Sequence, residues 1–214
     1  MRKTIATAII LLCLSFGILF ADNIKDAETY YNQGLSKGKL KDLTGAIKDF
    51  DKAIELNPNF VNAYSFRGAA KDSLENYTGA IEDYSKAIEL NPNNSSLSLY
   101  FFRAAAKANL QDYSGAIEDY TKGIDLNPKD ADAYFNRGLA KSNLQDDTGA
   151  IKDYSQAIKL NRKDALAYFN RGVAKSNLQN YKGALEDLSK AGELGYTKAY
   201  ETIQSIQQVR NDKR

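Results

Sequence analysis

One short phrase, written five times, constrains this chain more than any other feature. Gly45-Ala46-Ile47 recurs at Gly79-Ala80-Ile81, Gly115-Ala116-Ile117 and Gly149-Ala150-Ile151, and again as Gly183-Ala184-Leu185. The steps are 34, 36, 34 and 34 residues, with the extra two supplied by Ser95-Ser96 at a junction. A period of this size marks one supersecondary element stacked on copies of itself. No copy can bury its apolar face alone, so neighbours share a continuous core and the array is a solenoid.

The fourth copy shows what is repeated. Asp130 is placed to cap a first helix, on which Tyr134, Arg137, Gly138 and Lys141 share one arc at helical spacing. The chain turns around Asp146, which is placed to cap a second helix, as are Asp42, Asn76, Asp112 and Asn180 in the other copies. On that second helix Ala150, Tyr154 and Ala157 form a stripe, and Gly138 facing the two alanines predicts close backbone approach. The copies end in Asn57-Pro58, Asn91-Pro92, Asn127-Pro128 and Asn161-Arg162. Asn tolerates a left-handed helix end and Pro cannot continue a helix. The reading is two antiparallel helices per copy.

These columns resemble the tetratricopeptide repeat (TPR) family. The small positions are Gly34, Gly68, Ala104, Gly138 and Gly172 on the first helix, with Ala46, Ala80, Ala116, Ala150 and Ala184 on the second. Ala53, Ala87, Gly123, Ala157 and Ala191 follow, and the family's aromatic column is Tyr30, Tyr64, Tyr100, Tyr134 and Tyr168. The resemblance implies an all-α, right-handed α-solenoid of tandem antiparallel helix pairs. The expected plan is a leader at 1–21, a lead-in at 22–26, and repeats at 27–60, 61–94, 95–130, 131–164 and 165–195. A capping helix at 196–208, with Tyr200, Ile203 and Ile206 on its apolar side, and a polar tail at 209–214 complete it.

Two charged columns depart from the family pattern. Arg67, Arg103, Arg137 and Arg171 stand where an aliphatic residue is usual, with Gln33 in the first copy. They are matched by Asp49, Asp83, Asp119, Asp153 and Asp187 on the second helices. Buried charge has to be paired, so the expectation is a structural Arg–Asp ladder. Arg67 can reach Asp83 of its own copy or Asp49 of the preceding one, and the preceding copy is favoured because the first copy alone carries Gln in place of Arg. Lys37, Lys71, Lys107, Lys141 and Lys175 fill a usual tyrosine column and are expected to lay their stems over the rings with the ammonium groups in water.

The opposite side of each first helix is free of packing demands. In the family this side lines a concave groove that holds extended peptides or partner helices. Here it carries Tyr31, Asn32 and Leu35; Phe66 and Ala69; Phe101, Phe102 and Asn109; Phe135, Asn136, Leu139 and Asn143; and Phe169, Asn170, Val173 and Asn177. Asn offers a backbone both a donor and an acceptor, and exposed aromatics in register mark an interaction patch. The third to fifth copies are expected to carry most of the affinity. The positions that form a carboxylate clamp in chaperone-binding members are aromatic or neutral here, which disfavours that ligand.

Composition narrows the function further. There is no His or Trp, and Cys13 is the only cysteine, so imidazole catalysis, thiolate zinc sites and intrachain disulfides are excluded. No catalytic, cofactor or metal residue is expected, because a nearly periodic sequence offers no singular site. Arg2 and Lys3 supply the net charge of +2; without them 27 cations face 27 anions, and no nucleic-acid partner is expected.

The leader, Met1-Arg2-Lys3 followed by the uncharged stretch Thr4 to Ala21, has the anatomy of an export signal cleaved after Ala21, although Leu19 is large for the site. Its 18 uncharged residues also reach the length of a membrane span. The function expected is a non-enzymatic, monomeric protein-interaction scaffold, exported to the periplasm or secreted. The alternatives are a membrane-anchored receptor or envelope assembly factor and, more remotely, a glycan-binding or enzymatic role.

Overall fold

The structure, a computed structural model, describes residues 23–91 and 96–212. The leader expected at 1–21 and Ser95 of the insertion lie outside these residues. Among them every regular element is a helix, and the chain divides into two units, Met1–Ser95 and Ser96–Arg214. The first unit contains α1 (23–39), α2 (Leu43–Leu56), α3 (Val61–Ser73) and α4 (Tyr77–Leu90). The second contains α5 (Ser96–Asn109), α6 (Tyr113–Leu126), α7 (Ala131–Asn143), α8 (Asp147–Leu160), α9 (Ala165–Asn177), α10 (Tyr181–Glu193) and α11 (Lys198–Asp212). Odd and even helices pair in sequence order, and within the second unit α7 also touches α5 and α9. These are the tandem antiparallel helix pairs of an α-solenoid.

The turn inside each pair is built the same way throughout. The last residue before the second helix donates its backbone N–H back across the turn, as Asp146 does to Lys141 at 2.9 Å and Asn180 to Lys175 at 2.9 Å. The same residue then caps the second helix: Asp146 accepts from Gly149 and Asn180 from Gly183. One side chain thus ends one helix and starts the next. This geometry forces the residue before the cap into the left-handed region, and Lys41, Glu75, Gln111, Gln145 and Gln179 all have φ between 61° and 64°.

The joint between pairs differs from the sequence expectation. Asn57, Asn127 and Asn161 are not left-handed; their φ values are −136°, −138° and −130°. Each instead accepts a hydrogen bond on Oδ1 from the backbone N–H two residues on, at 3.1–3.2 Å. Asn is used here for its side-chain carbonyl, which mimics a backbone turn, and not for its conformational tolerance.

Small residues and one large lid make the core of each pair. Ala150 and Ala157 are fully buried, and Gly138 lies beneath the Tyr154 ring; the equivalent Gly172 sits close to the backbone of Ala184. A Cβ on Gly138 would come within 2.7 Å of Tyr154 Cε1. Phe50, Tyr84, Tyr120 and Leu188 occupy the same lid position in the other pairs and are buried. Burial pushes the hydroxyls of Tyr120 and Tyr154 up to about 12, so they stay neutral. The chain closes with α11, which begins later and runs further than the expected 196–208. It buries Ala199 and Ile206 against Leu188 and Ala191, while Tyr200 is half exposed and covers Gly192.

The left-handed turns carry a cost that can be measured. A non-glycine residue there costs about 1–2 kcal/mol, and glycine returns part of that as chain entropy. Gln145→Gly is expected to raise the unfolding free energy by about 0.5–1 kcal/mol in urea denaturation. A decrease would show that the Gln145 side chain contributes more than its backbone strain.

Candidate functional site

Each first helix is tied to the second helix of its pair by a charged framework. Arg137 donates through Nε and Nη2 to both oxygens of Asp153, at 2.9 and 2.7 Å. Arg67, Arg103 and Arg171 make the same paired bonds to Asp83, Asp119 and Asp187. The partner is therefore the Asp of the same copy, which corrects the expectation of the preceding one. The reach is 16 residues forward, across the shared turn, where the planar fork meets a carboxylate face to face. The preceding second helix is still engaged. The Nη1 of Arg67, Arg137 and Arg171 bonds to Asp51, Thr121 Oγ1 and Ser155 Oγ respectively, 16 residues back.

The lysines complete this framework, again against expectation. Lys37, Lys71, Lys107, Lys141 and Lys175 stand 2.7–2.8 Å from Asp49, Asp83, Asp119, Asp153 and Asp187 instead of pointing to water. Those aspartates are 2–9% exposed, and a carboxylate that deep needs both oxygens satisfied. Tyr64, Tyr100, Tyr134 and Tyr168 lie under the guanidinium groups three residues on, at 5.4–5.6 Å. Burial works against the Arg67 charge, but the bonds from Asp83 and Asp51 outweigh it and raise the guanidinium above its ordinary range.

The residues expected to line a groove are exposed to different degrees. Phe66 and Phe102 are 44% and 45% exposed. Phe101, Phe135 and Phe169 are only half exposed, because each ring leans on a neighbour: Tyr120 at 5.5 Å, Tyr154 at 5.8 Å and Tyr196 at 4.8 Å. The expectation that these three face away from the core is corrected. They are the outer layer of it. Tyr31 likewise joins Phe50, Phe60 and Phe66 in a ring cluster, with Leu35 half buried nearby and Asn32 exposed.

The asparagines behave differently from the aromatics. Asn109, Asn143 and Asn177 are exposed, and Asn136 and Asn170 are half buried. Asn136, Asn143 and Asn170 donate Nδ2 to the carbonyl four residues back in their own helices, at 2.8–2.9 Å. Asn177 donates to Asp147 at 3.2 Å. One of the two Nδ2 hydrogens is used locally in each, which leaves the second hydrogen and Oδ1 to meet a ligand backbone.

Two cavities lie between successive first helices, and they occupy the same repeat positions. In the first unit, α1, α2 and α3 enclose about 330 Å³ beside Leu35, Gly38, Phe50, Phe66 and Ala69. In the second, α5, α6 and α7 enclose about 320 Å³ beside Ala108, Asn109, Tyr120, Asn136 and Asn143. Gly38, Lys39, Phe50 and Ala108 were not among the sequence-predicted groove residues. The signal was present in register: Gly38 stands in a column otherwise filled by Asp72, Ala108, Ser142 and Ser176. Among the described residues no cluster of acidic or sulfur ligands is placed to hold a metal.

Repeated helix pairs with a shared turn and a small-residue core define a helical repeat protein. The tetratricopeptide repeat model matches residues 27–60 and 61–94, and the TPR repeat model matches 106–145 and 143–179. The chain belongs to the tetratricopeptide repeat family. An uncharacterized protein of Methanocaldococcus jannaschii is 46% identical over 43 residues, covering 20% of this chain and 50% of that protein. The chain thus matches half the length of that curated relative.

Among solved structures, YrrB, described as a TPR protein with an unusual peptide-binding site, superposes with a TM-score of 0.76 at 24% identity, covering 86% of this chain and 97% of YrrB. MamA superposes with a TM-score of 0.76 at 26% identity, covering 82% and 95%. MamA from Desulfovibrio magneticus RS-1 gives 0.75 at 20%, covering 80% and 96%. These are likenesses of fold; the coarse role of a protein-interaction scaffold goes with the family that the two repeat models show.

The half-burial of the phenylalanines alters what their removal does. Phe135→Ala is expected to lower the unfolding free energy by about 2 kcal/mol, below the ~3–5 of a fully buried Phe. A change below about 0.5 kcal/mol, the range of surface substitutions, would place the ring in solvent.

Proposed function

We propose that this protein is an exported, non-enzymatic scaffold that holds an extended polypeptide along the inner side of its first helices. The observation that carries the reading is the recurrence of one cavity at the same repeat position in both units. A ligand recognised by a repeat array meets the same geometry once per step, with side chains set for local specificity. The asparagine carbonyls at 109, 136, 143, 170 and 177 suit the N–H groups of such a backbone. Phe66 and Phe102 supply exposed apolar contact.

Export rests on the charge boundary at Ala21 and the cysteine-free sequence after it. The 18-residue uncharged stretch favours a second reading, a membrane-anchored receptor or assembly factor using the same groove. Among the described residues no helix is long and apolar enough to cross a membrane, and residues 4–21 lie outside them. Intact mass separates the two: a chain beginning at Asp22 supports export, and a retained leader supports the anchor.

Site-specific photocrosslinking in living cells tests the groove. A benzophenone amino acid replacing Asn143 is expected to yield polypeptide adducts, whereas the same group at Lys152, exposed on α8, yields none. Adducts from Lys152 alone would move the interaction to the second helices and overturn the reading.

A further inference from the structure

The α1–α3 cavity differs chemically from its counterpart at several matched lining positions. Phe50, 2% exposed, forms its floor without the hydroxyl that Tyr120 brings to the other. Phe66 replaces the amide of Asn136, and Ala69 stands where Leu139 does. Gly38 keeps one wall open: a Cβ there meets no atom within 4 Å. The volume is at the lower end of the ~300–1,000 Å³ typical of small-ligand sites, room for one or two side chains. An apolar cavity of this kind is open to water and gains from being filled by an apolar group.

One charged residue lies at this cavity. Lys39 lines it, is exposed, and joins none of the ion pairs formed among the described residues. Its neighbour Lys37 is the one committed to Asp49. The other copies carry Ser73, Asn109, Asn143 and Asn177 in the column of Lys39, so it is the single cation there. A free ammonium beside an apolar cavity complements an apolar side chain with an anion close by.

Resting on the groove reading above, we propose that the α1–α3 cavity takes an apolar side chain from a partner polypeptide whose next residue carries a side-chain carboxylate, bound by Lys39. The specificity of the first unit is then an apolar–acidic pair, whereas the α5–α7 cavity, lined by Asn109, Asn136 and Asn143, suits polar groups.

The test is NMR titration of the ¹⁵N-labelled full chain with blocked dipeptides: N-acetyl-leucyl-glutamate amide, its glutamine analogue, and N-acetyl-leucine. The repeats themselves supply substitutions that the fold already accepts. Ala69→Leu copies Leu139 and adds three carbon atoms to the cavity wall, and Lys39→Asn copies Asn109, Asn143 and Asn177. The leucyl-glutamate probe is expected to shift the Gly34 and Gly38 amides saturably and at least threefold more tightly than the glutamine analogue. Ala69→Leu is expected to weaken it at least tenfold, and Lys39→Asn to abolish the glutamate preference.

Equal affinity for glutamate and glutamine, or binding unchanged in Ala69→Leu, overturns the proposal. Binding of N-acetyl-leucine but not of the dipeptide overturns it in favour of a terminal carboxylate. If the proposal fails while a photocrosslink from Asn143 persists, the groove reading stands without it. If both fail, the groove reading falls too.

Discussion

The structure depends on keeping aspartates charged inside a helix stack. Asp83, Asp119, Asp153 and Asp187 are nearly inaccessible, and each is met by an arginine fork on one side and a lysine on the other. A buried carboxylate without partners costs several kcal/mol, so the stack holds together only in the register that supplies them. Arg67, Arg137 and Arg171 also reach the preceding second helix, so each ties three helices at once. The first copy fits the same logic. It carries Gln33 in place of Arg and pairs Asp49 with Lys37.

This arrangement separates cohesion from recognition. The ion-pair framework joins first and second helices, while the alanine columns and the ring lids of the second helices pack against the small residues of the first. The remaining side carries phenylalanines that also pack inward, beside a column that varies among lysine, serine and asparagine from copy to copy. The contrast between the two cavities follows: identical backbone positions, an apolar lining in one and amides in the other. A family fold says nothing about a partner, but a side chain released from packing reports on what it meets.

Much of this was legible in the sequence, and the exceptions share a cause. The period, the helix pairs, the caps at Asp42, Asn76, Asp112, Asp146 and Asn180, and the pairing of Arg with Asp all follow from residue type and spacing. The choice between Asp49 and Asp83 for Arg67 did not follow, because both lie within reach in a stack and only geometry selects one. The lysines were misread because spacing says where a stem starts and not that a buried carboxylate has an oxygen to spare. The phenylalanine column was misread for a related reason. Its side chains start on the open side of the helix and lean inward onto Tyr120, Tyr154 and Tyr196, a tilt that helical periodicity does not encode. The cavity at Gly38 became visible only when columns were compared across copies, since nothing in one copy marks it.

A double-mutant cycle across the Arg137–Asp153 pair is the most direct measure of the central claim. Unfolding free energies of the parent chain, Arg137→Ala, Asp153→Ala and the double variant isolate the coupling from other consequences of each change. The account predicts a coupling of about 2 kcal/mol, with Arg137→Ala alone costing about 3 because Lys141 still holds the stranded carboxylate. A coupling below about 0.5 kcal/mol, the scale of an exposed pair, would contradict it and make the ladder incidental to the stack.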